Sequence, residues 1–174
     1  MTIVLVEGDS DAIAVTTLAR RLGMPAPRVL PVGGSKGARR AVEQLGGELE
    51  GQRLVGLVDV AERFDFERVL DTVFISDPDL ESELVRALGF DGVEAVIAGQ
   101  GELDSFRRLQ QQPFQREQTR DAQLARFFGG RSGNKARYAR LLAEAVPLDR
   151  IPRPLGDLLA TLTDEDESNE SREA

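Results

Sequence analysis

The chain has 174 residues with 22 basic and 30 acidic side chains, a formal charge of −8, no cysteine and no histidine; that length suits one domain with a real core. The composition excludes disulfides, thiolate or imidazole metal sites and Ser-His-Asp chemistry. Catalysis falls to carboxylates, Lys, Arg, Ser, Thr or the single Tyr138, with an oxygen-ligated cation. No apolar stretch approaches the roughly 20 residues that span a bilayer, and Glu7 and Asp9 interrupt the first apolar run, so a cytoplasmic protein with no signal peptide and no membrane partner is expected.

In chain order, residues 2–7 read as a buried strand and 10–22 as a helix capped by Asp9 or Ser10. Residues 28–32 form a second strand. A break at Gly33-Gly34-Ser35 leads to a helix through Ala38, Ala41, Val42 and Leu45 that runs to Gly46-Gly47. Residues 53–58 form a third strand ending at Asp59, a short helix occupies about 63–69, and Thr72–Ile75 forms a fourth strand. Strand–helix alternation implies a mostly parallel α/β sheet. Asp77-Pro78-Asp79 opens a helix through Leu84, Val85 and Leu88 that stops at Gly89, with Pro78 in its first turn. Residues 93–97 read as a further strand or buried extended segment. Helices then follow at about 102–111, 117–128, 133–145 and 154–162. This divides the chain into an α/β core (1–100), a helical, basic part (101–163) and an acidic tail (164–174) too polar to bury and expected to be disordered.

Charge follows that division. Residues 1–106 hold 10 basic and 19 acidic side chains, 107–153 hold 11 and 4, and 154–174 hold 1 and 7. An acidic part followed by a basic segment pairs a cation site with a surface for a polyanion, although basic residues also simply solvate helix faces. The tail reads as an inert solubilising segment or as a nucleic-acid mimic that competes for the basic segment.

Three strand ends are acidic: Glu7 and Asp11 after the first, Asp59 and Glu62 after the third, and Asp77, Asp79, Glu81 and Glu83 after the fourth. In a parallel sheet these ends share one edge, where ligands bind. Carboxylates gathered there require a counter-charge, which Mg²⁺ or Mn²⁺ supplies. The bland reading of Asp9, Asp77 and Glu83 is helix capping or a solvated first turn; Glu7, directly after the strand, fits capping poorly. Gly33-Gly34-Ser35-Lys36-Gly37 lacks P-loop spacing and reads as a turn, with any contact of Lys36 to nucleic acid secondary. Gly129-Gly-Arg131-Ser-Gly-Asn-Lys135-Ala-Arg137-Tyr138-Ala-Arg140 presents Lys135 near a helix start. A cation is unfavourable there, which suggests a role in neutralising phosphate. Arg131, Arg137 and Arg140 extend that basic surface, and Tyr138 falls among core positions.

Val4-Leu-Val-Glu7-Gly8-Asp9-Ser10-Asp11 resembles the first motif of the TOPRIM domain. Gly56-Leu-Val-Asp59-Val-Ala-Glu62, Asp79-Leu-Glu81-Ser-Glu83-Leu and Lys135-Ala-Arg-Tyr-Ala resemble later motifs of the TOPRIM half of OLD-family ATP-dependent endonucleases. The resemblance covers about residues 2–160. It implies a TOPRIM, Rossmann-like sheet with a helical extension, and a DNA endonuclease or nickase using two divalent ions. Glu7, Asp11 and Asp59 would be ligands, Asp79, Glu81 and Glu83 would support the second ion, and Glu7 and Lys135 would be catalytic. The usual Asp-x-Asp of the third strand is interrupted by Ala61, which leaves Glu62 as substitute or Asp59 alone. No Walker A motif is present, so any ATP dependence would come from a separate ATPase or helicase chain, or be absent. DNA is the expected partner, with RNA as alternative substrate and a homodimer left open. RNA cleavage, nucleotidyl transfer and a non-catalytic binding module remain the alternative functions.

Overall fold

The computed structural model describes residues 2–46, 52–70 and 72–173, with the side chains of 35, 36 and 164 onward outside that description. Four strands, β1 (Thr2–Val6), β2 (Arg28–Pro31), β3 (Arg53–Asp59) and β4 (Thr72–Ser76), form one sheet in the order β2-β1-β3-β4. Every pair is parallel: Val6 lies opposite Leu57, and Asp59 opposite Ser76. All four strands therefore end on one edge, as the alternation of strand and helix predicts.

The two sheet faces are covered separately. Ile3, Leu5 and Val58 pack against Ala38, Phe66 and Leu70, from or beside α2 (Ser35–Leu45) and α3 (Arg63–Glu67). A Cβ on Gly56 would come 3.0 Å from Leu70 Cδ1, which explains a glycine inside a β-branched strand. On the other face, Val4, Val6, Val55 and Leu57 meet a larger helical layer. It comprises α1 (Asp9–Arg21), α4 (Leu80–Gly99), α5 (Leu103–Gln110), α6 (Arg120–Gly129), α7 (Asn134–Ala145) and α8 (Arg153–Glu173).

Four expectations change. The N-cap of α1 is Gly8, and Asp9 and Ser10, the expected caps, lie inside the helix. Residues 93–97 are helical, within the second limb of α4, and not a strand. The β-branched run is misleading, because Val93 and Ile97 are buried one helical turn apart and line one helix face. Gly89 does interrupt the helix, with φ 71° and ψ 160°, but the chain resumes helical geometry beyond it. Pro78 precedes the N-cap, Asp79, and so lies outside the first turn.

Helix α8 runs from Arg153 to Glu173. Leu155, Leu158, Leu159 and Leu162 bury one stripe of this helix. Gly47, at the expected end of the second helix, lies outside the described residues. Among the described residues, no helix is long and apolar enough to cross a membrane.

Candidate functional site

The carboxyl edge of the sheet carries the acids in an ordered arrangement held by backbone amides. Glu7 follows β1 and turns its carboxylate across to β3, where Oε1 accepts a 2.7 Å hydrogen bond from the amide of Asp59. Its carbonyl accepts from the amides of Gly33 and Gly34, at 2.9 and 3.3 Å, which binds the glycine turn to the same edge. Asp11 sits in the first turn of α1, and its Oδ2 accepts from the Gly8 amide at 3.0 Å. Asp59 Oδ1 accepts a longer, 3.3 Å bond from the amide of Leu80, at the start of α4.

Opposite these acids stands Lys135, the second residue of α7. Gly133 enters that helix with φ 75° and provides no side-chain cap. The first turn of α7 contains no acidic residue to balance the lysine. Glu81 does so from α4, with Oε2 3.3 Å from Lys135 Nζ. Burial opposes the lysine's charge, but Glu81, Asp11 and Asp59 outweigh it and raise its pKa.

One ammonium does not neutralise the edge. Burial, then the charges of Glu7, Asp11 and Asp79, push Asp59 from its ordinary 3.8 up to about 7. Burial is also the main cause of the raised pKa values of Glu7, Asp11 and Glu81. Two carboxylate oxygens, Glu62 Oε2 and Glu81 Oε1, are buried without a hydrogen-bond partner. A buried charge persists only when paired or bound to a cation. Among the described residues, no three acidic side chains form a group able to hold a metal ion by themselves. An ion of the Mg²⁺ type ordinarily takes one or two carboxylates and completes its shell with water and phosphate.

Not every expected residue stands free at this site. Asp79 caps α4, accepting from the Ser82 amide at 2.7 Å, while its charge still acts on Asp59, Glu81 and Asp11. Glu83 is engaged elsewhere: Oε1 accepts from the Asp77 amide at 3.2 Å, and Oε2 lies 3.2 Å from Arg86 Nη1. Ser76, fully buried beside Asp59 in the sheet register, has a hydroxyl with no partner. No sequence signal distinguishes it from an ordinary strand residue.

The basic residues separate. Arg137 pairs with Glu102 and also donates to Asn134 Oδ1 at 2.9 Å. Arg131 is exposed and contributes positive charge near Glu102. Arg140 is exposed on α7. Lys36 lies in the first turn of α2, and its side chain is outside the described residues. Helices α1 and α7 run side by side in the same direction. Asp11 and Lys135 interact at the upper end, and Arg20 Nη2 lies 3.3 Å from Glu144 Oε1 at the lower end. A groove of about 670 Å³ opens along this seam, lined by Ile13, Thr16, Arg20, Met24, Arg140 and Glu144 among others.

No family model matches the chain, and no curated protein matches it at the sequence level. Among solved structures, the C-terminal region of the Burkholderia pseudomallei OLD protein is similar, with a TM-score of 0.63 and 19% identity. The match covers 94% of this chain and 97% of that one. At this identity the likeness concerns the fold: the chain has the TOPRIM-type α/β architecture of an OLD protein's C-terminal region.

Proposed function

We propose that the chain is a divalent-metal-dependent endonuclease that nicks DNA, using Mg²⁺ or Mn²⁺. The observation that carries this reading is a parallel-sheet edge where Glu7, Asp11, Asp59 and Glu81 crowd around a single lysine with more negative charge than it offsets. One or two of Glu7, Asp11 and Asp59 would hold one ion, with water and phosphate completing its shell, and Asp79 with Glu81 would support a second. When bound, such ions supply Lewis-acid charge to a phosphodiester and ease deprotonation of water.

The chain's own residues set the geometry. The amides of Asp59, Gly8 and Leu80 fix three carboxylates before any substrate arrives. Such preorganisation avoids reorganisation during the reaction. The Lys135 side chain, 56% exposed, can reach from Glu81 toward a phosphate oxygen and stabilise developing negative charge as a compact cation. The seam groove begins two residues beyond Asp11, at Ile13, and Arg140 on its wall would engage backbone phosphate without reading sequence.

A non-catalytic nucleic-acid-binding module is the second reading. It is favoured by Ala61 in the third-strand motif and by the lack of a self-sufficient three-acid group among the described residues. Incubation with linear duplex DNA, single-stranded DNA and RNA, with Mg²⁺ or Mn²⁺ and with EDTA, separates the readings. The nuclease reading predicts cation-dependent DNA cleavage. Cleavage of RNA alone would transfer the activity to RNA, and binding without turnover on every substrate would support the module.

A further inference from the structure

Glu102 lies 33 residues before Lys135 and outside every acidic strand end, yet its contacts converge on the turn that carries the lysine. Its Oε2 accepts a 2.6 Å hydrogen bond from the Tyr138 hydroxyl and pairs with Arg137. Tyr138 is fully buried, stacked on Phe128 with ring centroids 4.6 Å apart and set edge-on to Phe127 at 5.8 Å. The Arg137 guanidinium lies 4.9 Å above the tyrosine ring and donates to Asn134 Oδ1. Asn134 Nδ2 in turn donates to the Phe127 carbonyl at 3.1 Å. These contacts grip the residues on both sides of Lys135, at 134 and at 137–138. Glu102 is itself fixed, since its amide donates to the carbonyl of Ile97, a fully buried residue of α4. The same helix carries Glu81 at its other end, so α4 holds both the lysine's partner and the anchor for the lysine's turn.

We propose that Glu102 is a positioning residue: through Tyr138 and Arg137 it locks the first turn of α7 so that Lys135 faces the acidic edge. Arg137 then serves mainly as a structural cation inside this clamp rather than as a contact to nucleic acid. The catalytic meaning of the clamp rests on the nuclease reading, but its physical consequence does not. Releasing the clamp leaves Lys135 less firmly paired with Glu81 and more available to solvent.

The chain contains two lysines, Lys36 and Lys135, so amine acylation with peptide mapping reports on Lys135 with Lys36 as internal reference. In Glu102→Gln and Tyr138→Phe, acylation of Lys135 relative to Lys36 is expected to rise about threefold or more, the lower range for coupled residues. Both variants retain side-chain bulk, and circular dichroism checks that the helices persist. In the cleavage assay the same variants should lose about tenfold or more in kcat with little change in KM, as expected of misplacement rather than lost binding. A relative acylation rate unchanged in both folded variants overturns the proposal. So does a loss expressed wholly in KM. A rise in acylation while the wild-type protein cuts no nucleic acid upholds the clamp and removes the nuclease reading.

Discussion

The amide of Asp59 donates a 2.7 Å hydrogen bond to Glu7 Oε1, joining the ends of β1 and β3 through two acids at the carboxyl edge of the sheet. The bond orients Glu7 but brings a second negative charge toward Asp59, which burial already disfavours. The site therefore stores electrostatic repulsion that a cation would relieve.

That repulsion gives a signed dependence on pH. Asp59 has an ordinary pKa of 3.8 and a folded value of about 7, so between these pH values the folded state binds more protons than the unfolded one. Stability of the metal-free protein should consequently fall as pH rises from about 4 to about 7. Glu7, Asp11 and Glu81, also raised, act in the same direction. Asp59→Asn should flatten this slope and raise the melting temperature in EDTA at pH 7.5. After discounting for partial exposure, a relief of about 1–2 kcal/mol corresponds to roughly 2–8 °C. Millimolar Mg²⁺ should stabilise the wild type more than the variant. Thermal scans at pH 5 and 7.5, with EDTA and with Mg²⁺, check both statements; a wild type that becomes more stable across this pH interval would oppose the account.

Lys135→Ala should lower the cleavage rate by about 10²–10³, the range for loss of one preorganised donor, while DNA affinity changes little. Single-turnover kinetics and a separate binding titration distinguish the two effects. Lys135→Arg should recover only part of the rate, because a planar guanidinium does not reproduce a compact ammonium beside Glu81.

Arg140→Ala should weaken DNA binding across sequences and reduce the salt-dependence slope by about one, as for a single phosphate contact. Arg137→Ala should instead act through the fold of the α7 turn, since its guanidinium is already engaged by Glu102 and Asn134. Binding titrations at several salt concentrations, with melting temperatures alongside, separate a phosphate contact from a structural cation.

Leu158 is fully buried on α8, within the core that includes Leu57 of β3. Leu158→Ala should cost about 2–5 kcal/mol, the range for deleting a buried leucine side chain. Chemical denaturation should show the loss as a lower midpoint with little change in slope.

The sheet was legible because each strand reads as a short apolar run that stops at turn residues or acids. Glu7 and Asp59 follow directly from that pattern: a parallel sheet brings successive strand ends to one edge. Residues 93–97 read as a strand because β-branched composition masks the helical pairing of Val93 with Ile97. Glu83 illustrates a different limit. Its position in a motif suggests a ligand, but its preference for Arg86 and the Asp77 amide depends on three-dimensional placement. Glu102 leaves no sequence trace, since its partners lie 35 and 36 residues away, beyond the two α-helices α5 and α6.

The most direct measurement is nicking of supercoiled plasmid by wild type and Glu7→Ala, each with Mg²⁺, Mn²⁺ or EDTA. The account predicts conversion to open circles by the wild type with a divalent cation, none in EDTA, and a loss of at least about 10² in rate for the variant, the scale of an essential electrostatic group. Equal nicking by a folded Glu7→Ala protein, or no nicking by the wild type with either cation, would contradict it.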